Sequence, residues 1–333
     1  MSGVIGFGLH QPPVQVLQTM DSITQKGVVP YIADQVLIPC PTLWRMVKSR
    51  DKKPKFKTGE GSSFVMPLMT QIVRTGGPYW GDMLLNNAVP DPIQPAEQQW
   101  RPYEQPISVP YTDIVFNLGQ DTGLDFMKGI FQACAGSFLQ ILSQDLWNTT
   151  QNPISVDSIP TWVSSVTNTV AGINRSVPAN SFWLPQPPVA GGGSSSPLTY
   201  QLANYAYQQA TYGYMQPDYL TMGPTSFAAF QSQFFANIRY FNEAPDEDAL
   251  QAGFRYNFKF NNAIVLQDRY VPANQAFMLN CDHIFPVFHK GDFFNITPWI
   301  VGTNQLVFTC YITLTWQITC DQPRAQVQLY NIE

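Results

Sequence analysis

One change of period constrains this chain more than any other feature. From Ile107 to Leu118 apolar and polar residues alternate at a period near two, which predicts a half-buried strand. Pro110 has no amide proton to give a ladder, so that strand is expected at a sheet edge. Past Gly119 the residues Leu124, Met127, Phe131, Cys134, Phe138 and Ile141 fall three or four apart, with Phe126, Ile130 and Leu142 widening the stripe, and the pattern becomes that of an amphipathic helix. Thr122 followed by Asp125 has the form of a capping box, and the absence of proline before Pro153 predicts one helix of about 40 Å at about 1.5 Å per residue. Near the other end of the chain, 306–320 reads as a second long strand. Phe308, Cys310, Ile312, Leu314, Trp316, Ile318 and Cys320 share one face; Thr309, Tyr311, Thr313, Thr315, Gln317 and Thr319 share the other, expected to be wet or interfacial. A helix that spans a domain beside a long-stranded sheet points to a structural protein.

Polar residues on that helix, Asp125, Lys128, Gln132, Gln140 and Gln144, exclude a membrane span, and the first residues lack a signal-peptide layout, so the expectation is a soluble chain with no membrane partner. With 333 residues, 44% of them hydrophobic and 14% aromatic, the chain can bury a large core. Only 12% are charged, about half the usual share of roughly 25%. Interface cores are depleted in Lys, Glu and Asp, so this deficit reads as a subunit largely covered by neighbours in an assembly; a secreted β-rich protein of similar polarity is the alternative. A net charge of -5 gives no basic field for gripping nucleic acid. The basic run Lys48, Arg50, Lys52, Lys53, Lys55 and Lys57 reads as a solvated loop. Cys40, Cys134, Cys281, Cys310 and Cys320 are odd in number and mostly sit in apolar periodic segments, as reduced core residues do; an intersubunit disulfide is the other use open to them.

Five regions follow from composition. Residues 1–50 form an arm with scattered prolines; 51–98, rich in Gly and Pro, read as a projecting hairpin carrying Phe64, Met66, Tyr79, Trp80 and Met83. An isolated two-stranded hairpin is marginal in water, so these side chains need a partner surface or the subunit's own core. Residues 99–152 hold the strand and long helix, 153–300 mix helices and strands, and 301–333 return as strand. Within 153–300, Trp162, Val163, Val166 and Val170 suggest a helix, 185–196 a flexible Gly/Ser loop, and Asn261-Asn262 the turn of a hairpin. Thr225 is read as capping a helix that carries Phe227, Phe230, Phe234, Ile238 and Phe241.

No phosphate-cradling loop, dinucleotide fingerprint or nucleophile elbow occurs. The densest group of chemically capable residues is Cys281, Asp282, His283, His289 and Asp292. Five apolar residues including a proline separate the histidines, so these side chains are expected to edge a strand and turn rather than hold a metal. Asp246-Glu247-Asp248 reads as an exposed acidic turn. No catalytic, cofactor or metal residues are assigned.

In the order of its segments the chain resembles the major capsid proteins of tailed bacteriophages, the Hong Kong 97 type. The phrases that carry the resemblance are Ala171-Gly-Ile-Asn-Arg175 with Trp183, Gln216-Pro-Asp218 leading to Pro224-Thr225-Ser226, Phe258-Lys-Phe-Asn-Asn262, Asp268-Arg-Tyr-Val-Pro272, Leu279-Asn280 and Cys320-Asp-Gln-Pro-Arg324. The resemblance implies an α+β fold with an N-terminal arm, an extended β-hairpin loop, a peripheral domain with a long spine helix and β-sheet, and a mixed α/β axial domain. It implies hexamers and pentamers closing an icosahedral shell around double-stranded DNA, assembled in the host bacterial cytoplasm with a separate scaffolding protein, a portal and in some cases a decoration protein. An encapsulin-like nanocompartment shell or a secreted glycan-binding protein are the alternatives. Subunit-interface candidates are Lys57, Phe64, Arg74, Tyr79, Trp80, Trp100, Arg269 and Arg324.

Overall fold

A computed structural model of the chain describes residues 40–47, 57–70, 78, 80–82, 93–116, 120–150, 152–164, 167–191, 196–235, 258–301 and 306–332; for 57, 114–116, 120–128 and 234–235 it describes the backbone alone. In chain order the elements are helix α1 (Pro41–Val47); strands β1 (Lys57–Gly59), β2 (Ser63–Met69), β3 (Ile93–Gln99) and β4 (Arg101–Pro110); helices α2 (Tyr111–Phe116), α3 (Gln120–Leu146) and α4 (Ile159–Val163); strands β5 (Thr169–Val170), β6 (Ile173–Asn174) and β7 (Val189–Ala190); helix α5 (Tyr200–Ala210); strand β8 (Tyr219–Met222); helix α6 (Pro224–Phe235); and strands β9 (Phe258–Phe260), β10 (Ala263–Gln267), β11 (Gln275–Leu279), β12 (Ile284–His289), β13 (Asn295–Ile296), β14 (Ile300–Val301), β15 (Val307–Cys320) and β16 (Val327–Tyr330). This is the expected α+β class. Two compact units divide the chain, one of Met1–Leu37, Pro102–Gln140 and Asp292–Leu314, the other of Ile38–Arg101, Ile141–Gly291 and Thr315–Glu333.

In the first unit, β4 lies beside β15, with the Tyr111 amide donating to the Leu306 carbonyl at 2.8 Å and the Ser108 and Thr309 hydroxyls 3.1 Å apart. Pro102, Pro106 and Pro110 are spaced by four, so all three remove donors from one edge of β4. Among the described strands β4 pairs with β15 alone, as an edge strand should. The alternation that continues to Leu118 does not extend the strand: β4 stops at Pro110 and α2 begins at Tyr111, with Asp113 in its first turn, where a carboxylate suits the helix dipole. The long helix α3 runs 27 residues. It starts at Gln120, so Thr122 lies inside the first turn instead of capping it. Phe131, Ala135 and Phe138 are buried, Phe131 edge-on to Trp299 at 6.5 Å and Phe138 edge-on to Phe294 at 6.1 Å.

The second unit is built on a sheet in the order β7-β16-β11-β8-β10-β9. Strand β8 is central and buried at all four positions, and β10 runs parallel to it while β11 runs antiparallel. The Asn261-Asn262 turn joins β9 to β10 as expected, Asn261 taking a positive φ that suits asparagine. Helices α5 and α6 supply Ala203, Ala206, Phe227 and Phe230 to the same core as Leu220, Val265, Met278 and Leu329. Thr225 does not cap α6, which begins one residue earlier at Pro224; the part of that aromatic stripe beyond 235 lies outside the described residues. Two carboxylates stand at the ends of the central strands. Asp218 pairs with Arg45 of α1 at 2.7 Å and accepts the Cys281 amide at 2.7 Å. Asp268 accepts the Thr42 hydroxyl at 2.6 Å and the Trp147 indole N–H at 3.0 Å. Through them a helix of only seven residues is fixed to the sheet.

Two sequence readings need correction here. Val170 belongs to the β5–β6 hairpin and not to a helix, which ends at Val163. In the segment 185–196, of which 192–195 lie outside the described residues, Val189 and Ala190 form β7, paired with β16, and Gly191 is packed so closely that a Cβ there would lie 2.3 Å from the Asn331 carbonyl oxygen. That glycine serves close approach of two backbones, not flexibility.

The far face of β15 also departs from expectation. Thr309 to Thr315 on that face are half-buried, but Gln317 and Thr319 are fully buried. The Gln317 side chain accepts from the Asp157 and Ile318 amides, both at 2.9 Å, and donates to the Gln99 carbonyl at 3.2 Å and the Asp157 carboxylate at 3.3 Å. Gln98 donates to the same carboxylate and to the Ile318 carbonyl, both at 2.9 Å. Asp157→Ala strands both amides in the interior, and urea unfolding of the unassembled chain should show a loss of about 2–3 kcal/mol. Arg45→Met leaves Asp218 buried without its cation and should cost about 3–5 kcal/mol, most of it recovered in the Arg45→Met/Asp218→Leu double variant.

Candidate assembly surface

The β2–β3 hairpin of the second unit leaves one apolar face uncovered by the described residues. Its register sets Phe64 opposite Gln98, Met66 opposite Ala96 and Leu68 opposite Gln94 on one face, and Val65 opposite Glu97, Pro67 opposite Pro95 and Met69 opposite Ile93 on the other. The first face turns inward: Met66, Leu68, Ala96 and Gln98 are buried. On the second, Val65 is 53%, Met69 75% and Ile93 59% exposed, and toward the tip Trp80 is 87% exposed. A two-residue alternation in a hairpin with one wet side puts polar groups outward. Here five apolar residues stand in register on the outward side, with Glu97 and the pair Ser63 and Gln99 polar at the end nearer the root, and this is a face built to be covered.

The root of the hairpin is held firmly. Strand β1 adds in parallel to β12, continued by the Lys290 amide donating to the Gly59 carbonyl at 3.0 Å and by a surface ion pair of Lys290 with Glu60 at 2.7 Å. Trp100, between β3 and β4, stands edge-on to His289 at 5.2 Å and to Phe64 at 6.1 Å. Its ring occupies the space a side chain at Gly59 would need, a Cβ there coming within 2.6 Å of the indole. Gly59→Ala should push Trp100 off the root and cost about 1–3 kcal/mol, read as a lower melting temperature with a shifted tryptophan emission.

The eight interface candidates fall in different settings. Phe64 and Trp100 are half-buried and engaged with each other. Trp80 and Arg269 are exposed, Arg324 is half-buried in a short 3-10 turn, and Lys57 lies in β1 with only its backbone described. Arg74 and Tyr79 lie outside the described residues, as does Met83. Sequence reasoning passed over Val65, Met69 and Ile93. The signal was present in Phe64-Val65-Met66-Pro67-Leu68-Met69, an unbroken apolar run, which in a strand means that both faces are meant to be covered.

The residues between Cys281 and Asp292 do not form a common site. His283 pairs with Asp321 at 2.8 Å, the His289 ring accepts the Gly291 amide at 3.2 Å, and Asp292 takes the Thr313 hydroxyl. Among the described residues no cluster of His, Cys, Asp and Glu is arranged to hold a metal, and no helix is long and apolar enough to cross a membrane. None of the five cysteines forms a disulfide, and all but Cys134 are buried. Burial pushes the Cys40 thiol up to about 12 and those of Cys281 and Cys320 upward as well, so none of the three ionises near neutrality. An aromatic disulfide reagent should therefore label one thiol, Cys134, in the native unassembled chain and all five after unfolding.

By sequence the chain matches no protein-family model and no curated protein. By structure it has the fold of the subunits that build phage capsids and encapsulin shells. It is similar to a chain of the cyanophage A-1(L) capsid asymmetric unit, with a TM-score of 0.56 and 12% identity over 88% of this chain and 93% of that one. The capsid of the native GTA particle gives a TM-score of 0.55 and 11% identity over 86% and 90%. The holo-SrpI encapsulin complex from Synechococcus elongatus gives 0.53 and 9% over 84% and 85%. At such identities the likeness concerns the fold, and it covers nearly the whole of each chain.

Proposed function

We propose that this chain is the major capsid protein of a tailed bacteriophage, a structural subunit without catalytic turnover. Copies assemble as hexamers and pentamers into an icosahedral shell that encloses double-stranded DNA. The observation that carries this reading is the outward apolar face Val65, Pro67, Met69, Ile93 and Pro95 on a hairpin whose root is locked into the body of a shell-type fold. In the shell that face lies on a neighbouring copy, with Trp80 at the tip as an anchor. The low charge content supports extensive covering by neighbours, and the net charge of -5 leaves packaged DNA loosely held. Lys57, Arg269 and Arg324 are placed at or near subunit contacts on the same reading. The particle forms in the bacterial cytoplasm with a separate scaffolding protein and a portal, and a decoration protein is compatible with it.

An encapsulin-type compartment is the second reading, supported by the likeness to the SrpI shell. The two differ in what is enclosed, a genome or a cargo protein.

Expression of the chain in a bacterial cytoplasm, followed by sedimentation velocity and negative-stain microscopy, tests the shell reading. Closed shells, tubes or capsomer rings are expected; a concentrated solution containing only monomer overturns it. Met69→Asp with Ile93→Asp should leave a folded chain that assembles at least about tenfold less readily, since each buried unpaired carboxylate costs several kcal/mol per contact.

A further inference from the structure

From Ser176 to Pro217 the chain carries no Asp, Glu, Lys, Arg or His. Helix α5 lies in that stretch and gives one face to the core, where Ala203, Ala206, Tyr207 and Ala210 are buried. The rest of its surface, with the turn that follows, is aromatic and polar. Tyr200 is 42% and Tyr205 56% exposed, followed by Tyr212 at 51% and Tyr214 at 88%. Over the described residues of 196–217 and 258–267 no Val, Leu, Ile, Met or Phe is exposed, unlike the outward hairpin face, and Lys259 is the one charged residue.

Hydrogen bonds gather three segments into this one surface. Asn261 of the β9–β10 turn donates to the Asn204 side chain of α5 at 3.2 Å, and Asn262 donates to the Gln216 side chain at 3.4 Å. Gln209 donates to the Tyr205 hydroxyl at 2.7 Å, which orients that ring on the helix. Tyr212 and Met215 exchange main-chain bonds of 2.9 and 3.0 Å around the two-residue turn Gly213-Tyr214. Gly213 takes a φ of 62°, as such a turn requires of its first residue, so Tyr214 is held at a tight apex. Much of the polar capacity stays open, because a side-chain amide has two donors and accepts twice. The amide nitrogens of Asn204 and Gln216, the amide oxygens of Asn261 and Asn262 and the hydroxyls of Tyr212 and Tyr214 have no partner among the described residues.

A ligand matched to this surface is uncharged, since an anion finds no cation beyond Lys259 and a cation finds no exposed carboxylate. It brings flat C–H surface for the rings, and groups that both donate and accept for the amides. Nucleic acid fails on charge. An apolar protein surface leaves the amides without partners. A pyranose meets every condition: its C–H face stacks on tyrosine, and each hydroxyl on its rim donates and accepts. We infer that the surface formed by α5, the 212–215 turn and the β9–β10 turn binds neutral carbohydrate. Tyr205 and Tyr214 are the stacking platforms, and Asn204, Gln216 and Asn262 bond the hydroxyls. With rings that stand out from the surface a single oligosaccharide binds weakly, at a Kd of about 0.1–1 mM. The inference does not depend on the shell reading.

Calorimetric titration of the full chain with maltohexaose, cellohexaose, chitohexaose and mannohexaose tests this. At least one of the four is expected to bind saturably. Tyr214→Ser and Tyr205→Ser should each weaken that sugar at least about tenfold with unchanged circular dichroism, while Trp80→Ser on the hairpin leaves it unchanged. No binding of any of the four at about 10 mM overturns the inference, as does parental affinity in both tyrosine variants. Loss of assembly in Tyr214→Ser with sugar binding intact marks the apex as a contact between copies and overturns it too. A parent chain that binds sugar but forms no particle leaves this inference standing and overturns the shell reading. Should the variants not fold, tyrosine-ring NMR shifts of the parent on titration decide, and rings that do not move overturn the site.

Discussion

Both edges of β15 are occupied by main-chain hydrogen bonds, and the rest of the sheet depends on that. Strand β4 lies along one edge; β12, β13 and β14 take successive stretches of the other, at 316–320, 312–313 and 308–309. Three short segments with little sheet-forming strength of their own are ordered by one long template. The cost appears at its C-terminal end, where β15 is buried on both faces and a glutamine must satisfy every polar atom it carries. Gln317 does so by gathering Asp157, Gln98 and Gln99 around it, which also ties the root of the β2–β3 hairpin to the sheet.

What the sequence made legible were features whose period is local. The long helix, the alternation of β15 and the β9–β10 turn each depend on residues within one or two turns of chain. The misses share a different cause. Residues 111–116 keep a period of two, yet the strand ends at Pro110 and a helix begins at Tyr111. Gln317 and Thr319 look like the wet side of a strand until distant segments cover them. Gly191 looks like a loop residue until the carbonyl of Asn331 is placed beside it. At the candidate surface Phe64 and Trp80 were found as aromatics, whereas Val65, Met69 and Ile93 were not, because which face of a hairpin stays exposed depends on the body beneath it.

The short phrases that suggested a capsid architecture turn out to hold buried polar contacts. Asp218 and Asp268 anchor α1. Arg175 lies over the Trp162 ring at 5.8 Å and donates to the Thr161 and Trp162 carbonyls at 3.2 and 3.1 Å; burial lowers its pKa to about 10, which still leaves it charged at neutral pH. Asn280 exchanges hydrogen bonds with Gln326, and Asp321 pairs with His283. Hydrophobic positions tolerate many substitutes, whereas a buried polar side chain is specified by the geometry of its partner. Several of the chain's few charges are therefore internal fixtures.

The attachment of the hairpin at β1 has a mechanical meaning. Its parallel register to β12 spans three residues, so a pull along β1 loads those rungs together in shear instead of peeling them one by one. Trp100, seated over Gly59, acts as a stop against sliding, since any longitudinal slip would carry a neighbouring side chain into the indole. A root fastened in this way resists a lengthwise pull better than a sideways peel.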